Sequence, residues 1–166
     1  EEEPELMAFG RNGEEKTPQG WADIRMFEPW ADETKRTLNP KLLELHKHAY
    51  VPISNYPVSC ILKTSDGFYF AGVNVEDAST RAGTCAERNA IFNAITCGVK
   101  KGEIVEINVM TSSTNTIGMP CFVCRQMISE YCNKDCVVRC FNKNGDFVEH
   151  TVEELCPYPF GEEDLV

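Results

Sequence analysis

Two short segments, Thr84-Cys-Ala-Glu-Arg88 and Pro120-Cys-Phe-Val-Cys124, constrain this chain more than anything else in it. Each stands where a helical pattern begins, and a strand-like block, Ile104-Val-Glu-Ile-Asn-Val-Met110, runs between them. A fold that uses both must cross from helix through strand to helix and bring two helix entrances together. Cys121 and Cys124 are three apart, so one helical face aims both sulfurs at one point, and Cys85 supplies a third thiolate from the other helix. Three Cys ligands leave the fourth position of a tetrahedral zinc ion open, which separates a catalytic site from a closed structural one. Three thiolates around a dication sum to one negative charge, which helix N-termini and the adjacent Arg88 and Arg125 are available to offset. Glu87 follows Cys85 by two residues; at a helix entrance, where the first residue is not yet helical, both side chains can face the metal. A Glu beside a zinc-bound water is a general acid/base candidate. Taken singly these features are weak. A lone C-x-x-C is more often structural zinc or chance, and a lone Glu at a helix start is more often a solvated residue favoured by the dipole.

The remaining cysteines do not form a framework of their own. There are nine in all, an odd and irregularly spaced number, and the acidic start Glu1-Glu-Glu-Pro-Glu5 carries no apolar stretch of a secretory signal. Disulfides are therefore not expected, and a reducing, cytoplasmic setting is. Cys60, Cys132, Cys136 and Cys140 read as small reduced core residues. With 42% hydrophobic and 25% charged residues over 166 positions, the composition is that of one folded domain, which needs no metal merely to fold. No apolar run approaches the roughly 18 residues of a membrane span. The 26 acidic and 16 basic side chains leave a net charge of -10, with no basic cluster for a phosphate backbone. A small-molecule substrate is expected, and neither nucleic acid nor membrane.

Along the chain, residues 1–38 hold both tryptophans and ten acidic against five basic residues, and read as an acidic N-terminal extension docked through Trp21, Phe27 and Trp30. A domain over 39–166 follows. Asn39 is placed to cap a helix with Pro40 at its first position. Residues 56–62 and 68–74 read as strands joined by a turn at Ser65-Asp-Gly67. Ala86, Ala90, Ile91, Ala94 and Ile95 give the next helix its apolar stripe, and Gly98 ends it. A third helix runs from Pro120 to about Tyr131. Residues 136–141 and 147–150 make a second strand pair, and Thr151-Val-Glu-Glu154 is a capping box. Strands alternating with helices, with a hairpin at each end, predict an α/β fold: a mixed sheet with helices on both faces.

Taken jointly, C-A-E-R opening one helix and P-C-x-x-C opening the next match the three-cysteine form of the zinc deaminase signature. The sequence resembles the cytidine deaminases, in their small, oligomeric, three-cysteine branch. The resemblance rests on Ala49-Tyr-Val-Pro52, Gly72-Val-Asn-Val-Glu76, Thr84-Cys-Ala-Glu-Arg-Asn-Ala90, Pro120-Cys-Phe-Val-Cys-Arg-Gln126, Thr151-Val-Glu-Glu-Leu155 and Phe160-Gly-Glu-Glu-Asp-Leu165. It implies a three-layer α/β/α fold around a five-stranded mixed sheet, zinc held by Cys85, Cys121 and Cys124, and Glu87 as the proton carrier. It further implies that Arg88 neutralises ligand thiolates, that Asn74 and Glu76 hold ribose hydroxyls, and that Ala86 and Tyr56 contribute to the substrate site. Phe160 would reach a neighbour's pocket in a homotetramer. On the residues alone Asn74 and Glu76 share one face of a strand end and read as a solvated edge. Ile53 and Thr80 stand where the family commonly has Tyr, Phe122 where it has a small residue, and Tyr56 where it has Phe. The implied activity is deamination of a nucleoside, cytidine or deoxycytidine. A modified or antibiotic cytosine nucleoside, and a catalytically silent zinc-stabilised binding protein, are the rival readings.

Overall fold

A computed structural model describes residues 34–166, so the expected docking of Trp21, Phe27 and Trp30 lies outside the described residues. The chain forms α1 (Thr34–His46), β1 (Ser59–Thr64), β2 (Tyr69–Val73), α2 (Ala86–Thr96), β3 (Ile104–Met110), α3 (Phe122–Tyr131), β4 (Val137–Phe141), β5 (Phe147–Thr151), α4 (Val152–Leu155) and a terminal 3₁₀ turn (Glu162–Leu165). The strands make one five-stranded sheet in the order β2-β1-β3-β4-β5. β3 and β4 pair parallel and the other neighbours antiparallel, so the sheet is mixed as expected.

Both faces are covered. On one, Leu38 and Leu42 of α1 pack with Ile61, Ala71, Met110 and Phe141. On the other, Ala86, Ala90, Ile91 and Ala94 of α2 and Ile128 of α3 close over Cys60, Leu62, Ile107, Val109, Val138 and Cys140. Consecutive residues of β1 thus go to opposite cores, which is why Ser59-Cys-Ile-Leu62 is buried throughout.

Four differences from the sequence reading have local causes. The first helix begins at Thr34, not at Asn39, and carries Pro40 in its interior. A proline there removes one backbone donor, and burial of Leu38 and Leu42, both fully enclosed, outweighs the loss. Residues 56–58 are not strand but a strap held by the Asn74 amide, whose Oδ1 accepts from Val58 N at 2.8 Å and whose Nδ2 donates to Tyr56 O at 2.9 Å. Ile95 is not in the core: the stripe of α2 is narrower than read, and Glu87 takes a buried place on it. Arg125 turns away from the thiolates, as described below.

The topology explains where a site must form. β2 leads into α2 and β3 into α3, and β2 and β3 run in the same direction because each is antiparallel to β1. Both helices therefore start at the same end of the sheet, outside the carboxyl ends of these strands, where open α/β sheets bind ligands. α2 sits directly on β2. A Cβ at Gly72 would stand 2.4 Å from Ala86 O and from Ala90 N, so only glycine admits the helix at this distance. Asn89 and Asn93 then donate to Val73 O at 2.7 Å and Ala71 O at 2.8 Å, satisfying carbonyls that an edge strand leaves open.

Candidate active site

Cys85 and Cys121 are the N-cap residues of α2 and α3, both in extended conformation (ψ 157° and 161°), and neither makes a side-chain capping bond. Their sulfurs are left free to meet in front of the two helix ends. Cys124, one turn into α3, completes the group, and all three Sγ atoms lie within 4.8 Å of one another. The spacing fits zinc. With Zn–S bonds of about 2.3 Å, tetrahedral geometry separates two sulfurs by about 3.8 Å; Cys85 and Cys121 are 3.8 Å apart. Among the described residues no other group of three Cys, His, Asp or Glu side chains is gathered this closely.

The surroundings favour thiolate at Cys85. The Cys124 thiol, the Arg88 guanidinium and the Cys121 thiol hold the Cys85 pKa down at about 5, while the proton retained in the Cys124–Cys85 pair and burial push Cys124 up. Arg88 Nη2 lies 3.5 Å from Cys85 Sγ. Arg125 plays a different part from the one its sequence position suggests. Its Nε donates to Pro120 O at 2.8 Å and its Nη1 to Leu155 O at 3.0 Å, with the guanidinium 4.6 Å over the Phe122 ring. It fastens the start of α3 to the end of α4 and leaves charge compensation to Arg88.

Glu87 is 5% exposed, the most telling number in the site. Burial raises its carboxyl pKa, the nearby Cys85 charge adds to this, and the Cys124 side chain hydrogen-bonds to it. A carboxyl enclosed in protein, touching a metal-ligand set and disposed to hold a proton, suits proton transfer. A surface glutamate would be none of these things.

Beside Cys85 a cavity of about 310 Å³ is lined by Ile53, Asn74, Val75, Glu76, Asp77, Thr80, Gly83 and Thr84. Glu76 Oε2 accepts from Ile53 N at 2.8 Å and Ser54 N at 3.1 Å, and these bonds, with the Ser54 side chain foremost, hold its carboxyl below the usual range. The sequence matches the cytidine and deoxycytidylate deaminase zinc-binding region over residues 32–140. The chain belongs to this family.

Among its relatives, a cytidine deaminase from Sporosarcina psychrophila is 38% identical over 119 residues, covering 72% of this chain and 85% of that protein. A blasticidin-S deaminase from Bacillus cereus is 31% identical over 112 residues, covering 64% and 79%. The crystal structure of cytidine deaminase from Burkholderia pseudomallei superposes with a TM-score of 0.72 at 34% identity, covering 75% of this chain and 98% of that one. As a deaminase-family domain, this chain places the three-cysteine set, Glu87 and Arg88 together, with Ala86 fully buried between Cys85 and Glu87. Asn74 and Glu76 share the cavity with Cys85. Tyr56, on its strap, and Phe160, which with Phe122 lines a separate cavity, do not line that cavity within one chain. Two contributors went unread in the sequence: Asp77, signalled only by the turn pattern Asp77-Ala-Ser79, and Gly83.

Proposed function

We propose that this chain catalyses the zinc-dependent hydrolytic deamination of cytidine and deoxycytidine to uridine and deoxyuridine, a step of pyrimidine salvage. The observation that carries the proposal is the enclosed Glu87 carboxyl against the three-thiolate cluster. Zinc held by Cys85, Cys121 and Cys124 would supply Lewis acidity, making a water molecule acidic near neutral pH. Glu87 takes a proton from that water and delivers it to N3 of the cytosine ring, which makes C4 electrophilic. After the water oxygen adds at C4, Glu87 moves the remaining proton of that oxygen to the amino group, the C4–N bond breaks, and ammonia leaves a C4 carbonyl behind. Arg88 stabilises the ligand charge throughout.

Asn74 and Glu76 are proposed as the ribose contacts. Each is partly used by backbone bonds, yet the Asn74 amide keeps an N–H and a lone pair, and the Glu76 carboxylate keeps acceptor capacity. Ala86 and Tyr56 are proposed as further substrate neighbours, and Phe160 as a group lent to a neighbouring subunit. A homotetramer is supported by the apolar surface at this end of the chain, where Phe122 is 79% and Phe160 54% exposed. The domain, expected from residue 39, is taken to start a little earlier, with α1 at Thr34, since Leu38 belongs to the core, and to run to 166. A reducing compartment, the cytoplasm, suits a site made from free thiols. None of the described helices is long and apolar enough to cross a membrane.

The test measures ammonia release side by side from cytidine, deoxycytidine, a cytosine-bearing antibiotic nucleoside and single-stranded DNA. The expected result is turnover of the first two. Exclusive turnover of the antibiotic nucleoside, or no turnover by zinc-loaded protein, would overturn the proposal in favour of its rivals.

A further inference from the structure

One wall of the cavity is a loop held largely by a single one of its own side chains. Residues 77–83 leave the end of the β2 extension and return as Thr84, which pairs with Val75 through Val75 N to Thr84 O at 3.0 Å and Thr84 N to Val75 O at 2.9 Å. Between these fixed points one side chain bridges the loop. Asp77 Oδ1 accepts from the Ser79 amide at 2.8 Å and from the Ser79 hydroxyl, and Oδ2 accepts from Gly83 N at 2.7 Å. The carboxylate thus ties the beginning of the loop to its end, two residues before Cys85. Gly83 has no room for a side chain: a Cβ would meet Val75 O at 2.8 Å.

The loop it holds is strained. Thr80, whose side chain lines the cavity, has φ +58°, a left-handed conformation that a β-branched residue seldom adopts and that persists only when neighbours impose it. Those neighbours are Asp77 again, whose carbonyl accepts from Thr80 N at 3.0 Å, and Ser79, whose carbonyl accepts from the Thr80 hydroxyl at 2.8 Å. The Asp77 bonds also hold its carboxyl below the usual range, the Ser79 hydroxyl contributing most, so the brace is ionised at neutral pH.

We infer that Asp77 is a positioning residue for substrate: its carboxylate braces the 77–83 loop so that Thr80 and Gly83 form the wall of the cavity beside Asn74 and Glu76. The inference rests on the deaminase reading above. Asp77 need not touch the nucleoside. It acts through the shape of the wall, and its effect falls on binding, whereas Glu87 and the cysteines govern the chemical step.

The experiment compares wild type with Asp77→Ala, Asp77→Asn and Ser79→Ala as purified, zinc-loaded full-length proteins. Steady-state ammonia release from cytidine, zinc content and melting temperature are measured on each. Asp77→Ala is expected to raise KM about tenfold, with kcat within about twofold and zinc unchanged. Asp77→Asn keeps one acceptor but presents an amide to the other donor, and should recover part of the loss. Ser79→Ala removes one donor and should shift KM in the same direction by less. If Asp77→Ala does not fold, Ser79→Ala decides alone. Wild-type KM in a folded Asp77→Ala, or in Ser79→Ala should Asp77→Ala fail to fold, overturns the inference. So does a fall in kcat and zinc content at constant KM, which would mean that Asp77 serves Cys85 and not the wall. An inactive wild type removes the deaminase reading itself, and this inference with it.

Discussion

At the scale of single residues the site divides its labour by burial. Glu87 is enclosed and Arg88 half-buried, while Cys121 lies at the surface, so the carboxyl is shielded from water and one thiol of the cluster is open to it. Glu87→Gln preserves volume and removes the carboxyl in contact with the thiolate set. Zinc should remain bound, because no step above makes Glu87 a ligand. General acid/base catalysis is worth about 100- to 10,000-fold, and two transfers through one residue place the expected loss of kcat at or beyond the upper end. Cys85→Ala should differ, losing zinc by elemental analysis as well as activity. Near-normal turnover by Glu87→Gln would contradict the proton-carrier role. The gathering of Cys85, Cys121 and Cys124 was legible from sequence because Cys121 and Cys124 lie about one helical turn apart and Cys85 and Glu87 straddle a helix entrance. The opposite orientation of Arg125 was not legible, since its partners Pro120 O and Leu155 O are brought together only by the packing of α4 on α3.

At the scale of elements, the decisive contact is α2 on β2. Gly72→Ala forces a methyl group into backbone atoms, which cannot yield as a side chain would, and overpacking of this kind typically costs about 1–3 kcal/mol. Lifting α2 moves Cys85 relative to Cys121. The variant should melt at lower temperature and also bind zinc more weakly; a stability loss with wild-type zinc affinity would show that the two helices are not coupled in this way. α1 offers a separate test. His46 Nε2 lies 3.0 Å from Met110 O, and burial lowers its pKa from 6.5, with Lys143 adding to the effect. A histidine whose folded pKa is depressed contributes stability above the unfolded value, and this is lost as pH falls below about 6.5 and through the folded pKa. Melting temperature should therefore drop between pH 7.5 and 5.5, and less in His46→Gln. Equal drops would remove His46 as the cause. Elements with strong periodicity, such as β3, were legible to the residue. α1 was not, because a proline inside a helix reads locally as a start and only the long-range burial of Leu38 reveals otherwise.

At the scale of the whole molecule, the exposed Phe122 and Phe160 are where the proposed assembly can be tested. Truncation after Cys156 removes Phe160 and the terminal turn but leaves both cores intact. It should abolish most activity while barely changing the monomer's melting, and light scattering should show smaller particles than the full chain gives. A fully active monomer would contradict the tetramer. One contrast between helix ends has a wider consequence. α4 is closed by the Thr151–Glu154 capping box, with both of its bonds made. The two helices of the site begin with cysteines that cap nothing, and an absent cap costs roughly 1 kcal/mol per helix. Serine at either place would steady the empty fold and forfeit the metal. Zinc held by the three cysteines would therefore also fasten the two helix entrances to each other. Chelation should then lower the melting temperature and not turnover alone.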